Sequence, residues 1–281
     1  MTVSYDNAAG NKESAGGSPL TWNHSIGSGS NRLLVVGVTN ELYNAVMSVK
    51  YNTVSMTEWS HYHAENDTSK PFLTFFYMKE ADLPAAGTYE VEVTYTVTTT
   101  VTGGSISFSG VDQTTPLQNK VEGSTLNVAL DVTITCASGN MAVLLAGCGS
   151  AFGTLGGGTN RYLQNNDSSS FMNNGAGVTE PGDGSVNITY TNVGDWYTWI
   201  GADILAASGT IIDQEGFRFR NDDGDEDAAT WKEAQDTNLT AAKSVNTRLR
   251  VILDATGDPA TTQYQLEYRR SGQLWRKVEA E

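Results

Sequence analysis

Trp196, Tyr197 and Trp199 crowd three large rings into four positions. Read as a strand, they place Tyr197 and Trp199 on one face and Trp196 on the other. One face is expected to enter the core. The other is the candidate interaction surface, a stacking platform for a sugar ring or a contact with a neighbouring subunit. A second group, Asn221-Asp222-Asp223-Gly224-Asp225-Glu226-Asp227, has the oxygen density that calcium requires, with Asp222, Asp223, Asp225 and Asp227 as candidate ligands. It lacks the loop spacing and closing Glu of a dedicated calcium site, so a solvated turn is the simpler reading. His61 and His63 would share one face of a strand, a spacing that some metal sites use. Only Glu65 and Asp67 follow them, and HYHAENDTS reads as a loop. Gly147-Cys148-Gly149-Ser150 lacks the Gly-X-Ser-X-Gly register of a nucleophile turn. There is no phosphate-binding glycine loop ending in Lys-Ser or Lys-Thr, and no dinucleotide fingerprint. No pair of carboxylates is singled out for glycoside hydrolysis. The expectation is a protein without catalytic residues, and no metal or cofactor is expected beyond a weak calcium ion in the acidic turn.

Seventeen Lys and Arg stand against 32 Asp and Glu, for a formal charge of −15. Such a surface repels a phosphate backbone, which sets nucleic acid aside as a partner, and its ordinary consequence is solubility. The excess is uneven, net −11 before Gly209 and net −4 from there on. The opening MTVSYDNAAGNKES has neither a basic start nor an apolar run, and no stretch nears the ~20 apolar residues that cross a bilayer. A soluble product made in a cytoplasm, with no secretory signal and no membrane partner, is expected.

The elements that must position these residues read as strands, in keeping with abundant Gly, Thr, Ser and Asn and only 17% charged residues. The organising stretch is Gly87 to Pro116. Tyr89, Val91, Val93, Tyr95 and Val97 alternate with Glu90, Glu92, Thr94 and Thr96, which predicts a half-buried strand. After Gly103-Gly104 the pattern restarts with Ile106 and Phe108 between serines, so two long strands are expected at the centre of a sandwich. Arg32–Thr39 is apolar on both faces and reads as a central strand, as does Phe72–Met78. Val46–Tyr51 and Val54–Trp59 read as a hairpin about Asn52-Thr53. Cys136 and Cys148 bracket another expected hairpin, VTITC-ASGN-MAVLLAGC, whose pairing holds the two sulfurs apart, so two buried free thiols are expected. No internal repeat stands out, and Ala228–Gln235 reads as one helical turn. The best boundary is Ala206-Ala207-Ser208-Gly209. Residues 1–207 are then a large jelly-roll-like antiparallel β-sandwich, and 208–281 a small immunoglobulin-like β-sandwich in which Phe217 and Phe219 alternate with Arg218 and Arg220, giving an all-β chain.

Two phrases carry a family likeness. Ser105 to Pro116, SISFSGVDQTTP, with the Val49–Trp59 hairpin and Gly87-Thr88-Tyr89-Glu90-Val91, resembles a β-sandwich domain of tailed-bacteriophage structural proteins and some bacterial surface proteins. Gln214 to Gly224, QEGFRFRNDDG, with Ala229-Thr230-Trp231, Asn246 to Val251 and Ala255 to Ala260, resembles a module that recurs in phage and prophage virion proteins. The resemblance implies a non-enzymatic virion component. The type that fits best is a capsid decoration, cement or short head-fibre protein, a dimer or trimer bound to the major capsid protein on the capsid surface. A tail or baseplate protein that recognises the host, or a module that binds a host-surface glycan, is the alternative.

Overall fold

The computed structural model describes residues 1–13, 17–40, 47–63, 71–96, 100–165, 173–209, 211–225, 228–240, 242, 245–256, 267–268 and 276–277. Apart from one 3-10 turn at Glu80–Asp82, every element described is a strand. Among these residues no helix is long and apolar enough to cross a membrane. The chain divides into two compact units, Met1–Ala207 and Ser208–Glu281.

The first unit opens with β1 (Ser4–Glu13), β2 (Leu20–Ile26), β3 (Leu33–Asn40), β4 (Met47–Tyr51), β5 (Val54–Ser55), β6 (Thr57–Tyr62), β7 (Phe72–Lys79), β8 (Gly87–Tyr95) and β9 (Val101–Ser109). They form two sheets, ordered β1-β9-β3-β7-β6 and β2-β8-β4-β5. The first and last strands lie side by side and the chain crosses repeatedly between the sheets, which is a jelly roll. β3 is buried along its whole length because it sits at the centre of a sheet covered on both faces. β8 shows the expected alternation. It does not pair with β9, however: the two lie in opposite sheets. Gly103-Gly104 is inside β9; Ser105 and Ser107 are buried within the first roll, beside His24 and Asp6, and Ile106 and Phe108 on the opposite face are covered by the second roll. The β4–β5 turn is as expected, with Asn52 and Thr53 both at positive φ (48° and 68°), while Trp59 belongs to β6 in the other sheet.

The next eight strands repeat this plan. They are β10 (Leu117–Leu126), β11 (Leu130–Cys136), β12 (Met141–Cys148), β13 (Leu155–Gly156), β14 (Thr159–Gln164), β15 (Asn174–Pro181), β16 (Gly184–Tyr190) and β17 (Trp196–Ile204). Their sheets run β10-β17-β12-β15-β14 and β11-β16-β13. Put β10 for β1, β11 for β2, β12 for β3, β13 for β4, β14 for β6, β15 for β7, β16 for β8 and β17 for β9, and the two orders coincide; β5 alone has no counterpart. The registers coincide as well. Gly37 pairs with Gly104 and Phe75, and Leu145, at the same step of β12, pairs with Ile200 and Gly177. β6 and β14 each carry one extra residue at the same place, Trp59 and Arg161. The first unit is therefore two jelly rolls in tandem rather than one large sandwich. The expected cysteine hairpin does not form, since β11 and β12 belong to different sheets of the second roll. Cys136 and Cys148 are both buried and free.

The rolls stack through their five-stranded sheets, giving four layers and three apolar cores. One core fills the first roll, around Leu34, Val36, Tyr51 and Val93. Another fills the second, around Leu130, Leu144, Val178 and Ile188. The third, with Leu33, Val35, Phe75 and Phe108 on one side and Val143, Leu145, Ile200 and Ile204 on the other, joins them. Contacts across the joint are reciprocal: β9 meets β15 as β17 meets β7, and β3 meets β15 as β12 meets β7. The arrangement is a pseudo-twofold, but the side chains invert in size. Tyr162 is seated over Gly104 and Gly177, and its hydroxyl stands 2.7 Å from where a Cβ of Gly37 would be. The equivalent positions in the other roll are Ser60, Ile200, Phe75 and Leu145. A large ring over three glycines on one side of the axis thus faces a serine among three large residues on the other.

In the second unit β18 (Ile211–Arg220) pairs antiparallel with β19 (Arg248–Thr256), and β20 (Glu267–Tyr268) pairs with β21 (Arg276–Lys277). Thr230 to Lys232 runs along β18, bonding Asn221 and Phe219 through the backbone. Ala228–Gln235, expected as a helical turn, is not helical. Tyr264, Leu266 and Tyr268 alternate with Gln263, Gln265 and Glu267 as a strand would; of these only Glu267 and Tyr268 lie within the described residues.

Candidate functional site

The aromatic group is divided by the fold. β17 is central in its sheet, and Tyr197 is fully buried in the second roll's core. Its ring lies 5.8 Å from Phe152 and 6.2 Å from Tyr190; its hydroxyl donates to the Thr191 carbonyl (3.0 Å) and accepts from Gly153 N (3.2 Å). Tyr197 is therefore removed from the candidate interaction surface. Trp199 points the same way and is half-buried, laid over Gly123, where a Cβ would stand 2.5 Å from its Cζ2. Trp196, half-buried on the opposite face, pairs with the exposed Leu126. Two of the three rings thus serve packing, because alternation along a strand covered on both faces leaves little surface.

The acidic turn is stitched to its own unit. Asp222 Oδ1 is 2.6 Å from Arg248, and its Oδ2 accepts from Asn246 Nδ2 at 3.2 Å; these bonds, Asn246's first, hold the carboxyl below the usual carboxylate range. Asp223 accepts from the backbone N–H and hydroxyl of Thr230 (3.0 and 2.5 Å), which lowers its pKa too. Asp225 caps Ala228 N at 2.8 Å, and Asp227 lies outside the described residues. An open depression of about 590 Å³ adjoins the turn, lined by Asn221, Asp222, Asp223, Lys232, Val245 and Asn246. Among the described residues no group of three or more His, Cys, Asp or Glu could hold a metal ion. His61 Nδ1 meets Glu58 at 2.6 Å and its ring stacks on Phe72; Glu65 and Asp67 lie outside the described residues.

Sequence reasoning passed over two buried polar clusters, one per roll. In the first, His24 Nδ1 is 2.8 Å from Ser105 Oγ, which also accepts from Trp22 Nε1 at 2.9 Å. Ser107 Oγ donates to Asp6 at 2.8 Å. A serine beside an imidazole near a carboxylate invites comparison with a hydrolase, but Ser105 and His24 are both fully buried, so no substrate reaches them. Burial lowers the His24 pKa to about 4, against a smaller opposing pull from Asp6. In the second roll, Asp203, at the position equivalent to Ser107, accepts from Cys136 (3.1 Å), Gln118 (2.9 Å) and Asn140 (3.0 Å). Burial and then Asp203 push the Cys136 thiol up. The carboxylate has changed strands between the copies, from β1 to β17, while the cluster stays in place. Only contacts between residues 63 to 101 positions apart assemble the two, so no local motif announces them.

A last group stands on one face of the second unit. Arg218 pairs across the ladder with Arg250, and Arg220 with Arg248. Trp231 lies opposite Arg220 on the other side of β18, with the Arg218 and Arg220 guanidinium carbons 4.2 and 4.8 Å from its ring centre. Compared with known proteins, the chain matches no protein family, no curated protein sequence and no solved structure.

Proposed function

We propose that this chain is a non-enzymatic structural component of a tailed-phage virion, most specifically a decoration protein seated on the capsid lattice. The likeness of Ser105–Pro116 and Gln214–Gly224 to virion modules supplies the class. The observation that carries the rest is the four-layered stack of two jelly rolls, whose interiors are filled by three apolar cores. Close-packed sheets resist deformation, since interiors of this density have low compressibility. A slab of this kind suits a part that must hold position while bound to its neighbours. Its outermost sheets present polar rows such as Asp131, Thr133 and Thr135, paired with Thr189, Asn187 and Ser185. Docking on capsid protein, as a dimer or trimer, then requires interfaces on the order of 1,200 to 2,000 Å² each. Cryo-electron microscopy of the virion with copy-number quantification tests the proposal. Density at hundreds of lattice positions supports it; a handful of copies at the tail tip, or turnover of a polysaccharide by the purified protein, overturns it.

A further inference from the structure

We propose that a cleft in the outer sheet of the first roll binds an amino-sugar residue of a glycan, taking up its free ammonium group. The cleft has a volume of about 140 Å³ and is lined by Lys50, Asn52, Thr53, Glu90 and Glu92. Alternation along β8 builds one wall: Val91 and Val93 turn into the core, so Glu90 and Glu92 stand together on the outer face. Lys50 lies directly across from Glu92 on β4 and pairs with it at 3.1 Å. The β4–β5 turn makes the other wall and is fastened beside Glu90, whose backbone carbonyl accepts from Asn52 N at 3.0 Å. Among the described residues, the Glu90 carboxylate, the Asn52 side-chain amide and the Thr53 hydroxyl have no partner within the chain. The turn also carries strain that the fold does not require. Thr53 is β-branched and held at φ 68°, in the left-handed region, at a cost of about 1–2 kcal/mol. The turn that leaves β13, the strand that stands for β4 in the second roll, meets the same demand with Gly157 and Gly158 at φ 76° and 75°. Strain kept where glycine would relieve it marks a position whose side chain is used, and the Thr53 side chain lines the cleft.

Charge and size choose the ligand. Lys50 neutralises Glu92, which leaves Glu90 as the excess charge, so the cleft favours a cation. An ammonium group brings three N–H donors. The Glu90 carboxylate, the Asn52 side-chain oxygen and the Thr53 hydroxyl offer it acceptors from both walls. The Lys50–Glu92 pair adds a donor and an acceptor side by side, the combination that two neighbouring ring hydroxyls engage. A bare lysine side chain has nothing to give this pair, whereas an amino sugar has its hydroxyls. At about 140 Å³ the cleft falls below the ~300 Å³ at which pockets for whole small molecules begin, so it takes one ring of a longer glycan. The site lies wholly within the first roll, and the reading holds wherever in a virion the chain resides.

The test is titration of the isotope-labelled full chain with glucosamine, glucose, N-acetylglucosamine and Nα-acetyl-lysine amide, followed by backbone NMR shifts at a pH below the pKa of the amines. Saturable shifts at Asn52, Thr53, Glu90 and Glu92 are expected with glucosamine, and the other three compounds should bind at least about fivefold more weakly. E90Q should weaken glucosamine binding by a similar factor. T53G, which relieves the strain and removes the hydroxyl, should raise the urea midpoint while weakening binding, and T53S, which keeps the hydroxyl, should bind as the wild type does. The proposal is overturned by absence of glucosamine shifts in the cleft, by glucose, N-acetylglucosamine or the lysine derivative binding as tightly, by E90Q or T53G binding as the wild type does, or by loss of binding in T53S. A higher urea midpoint in T53G keeps its loss of binding distinct from loss of fold.

Discussion

Gly104→Ala tests the joint between the rolls. The face of Gly104 is covered by the ring of Tyr162 from the opposite roll, and a Cβ added there overlaps that ring. Tyr162 has nowhere to retreat, since its other flank rests on Gly177 and its hydroxyl end on Gly37. Overpacking of this kind costs about 1–3 kcal/mol, and more where neighbours cannot shift. Tyr162→Ala removes the ring instead and leaves a cavity lined by three glycines, with a cost of about 3–5 kcal/mol by analogy with Phe→Ala. The double variant is the informative one. The alanine methyl at 104 then enters space that the ring has vacated, so its penalty disappears and the two losses should fall short of additivity by about 1–3 kcal/mol. Urea unfolding of the four proteins, followed by tryptophan fluorescence, gives the cycle. Additivity within about 0.5 kcal/mol, the behaviour of independent sites, would refute a direct contact between roll one's glycines and Tyr162.

Further outcomes follow from buried and strained groups. His24 is neutral when folded and titrates at about 4 instead of 6.5, so as pH falls below 6.5 the unfolded chain takes up the proton first and stability drops. The loss specific to His24 between pH 7.5 and 4.5 is about 2.5 kcal/mol, and His24→Gln should show a correspondingly flatter profile; identical profiles would remove the imidazole as its cause. Burial would by itself raise the Glu80 pKa, but bonds from the Arg32 side chain and backbone outweigh it and lower it. Their contribution is therefore present above the ordinary glutamate pKa and is lost on acidification. Glu80→Ala, which strands Arg32 (7% exposed), should cost about 3 kcal/mol at pH 7 in the same unfolding assay. Thr53 is β-branched at φ 68°, so Thr53→Gly should stabilise by about 1 kcal/mol, read as a higher urea midpoint. Cys148, raised to about 11 chiefly by burial, and Cys136, raised further, should resist Ellman's reagent until the chain unfolds.

Much of the fold is local and therefore legible. Leu33–Asn40 and Met141–Cys148 announce central strands because apolar residues on both faces leave no side for water. Gly87–Tyr95 and Leu130–Cys136 announce outer strands through alternation, and Asn52-Thr53 marks its turn. Val91-Glu92-Val93-Thr94-Tyr95-Thr96 and Val186-Asn187-Ile188-Thr189-Tyr190-Thr191 carry the one visible trace of duplication. Six residues are too few to reveal the repeat against the rest of the two copies. The arginine ladder was half-visible: the alternation of Arg218 and Arg220 with phenylalanines was plain, but their apposition to Arg250 and Arg248 depends on the register of β18 with β19.

Residue order alone determined that the chain is made of strands, and which of them face two apolar layers and which face one. Those properties depend on neighbours one or two positions away, through the pleat and through turn chemistry. Only the tertiary structure decided that β8 and β9 part into opposite sheets, that β11 and β12 do the same, and that two jelly rolls stand where one was expected. The reason lies in the joint. A core requires a filled volume, and no particular residue at each place, so one half seats Tyr162 over Gly37, Gly104 and Gly177, and the equivalent positions carry Ser60, Leu145, Ile200 and Phe75. Packing fits sizes to one another locally on each side of the pseudo-twofold, and that fit can be read only when both halves are in place.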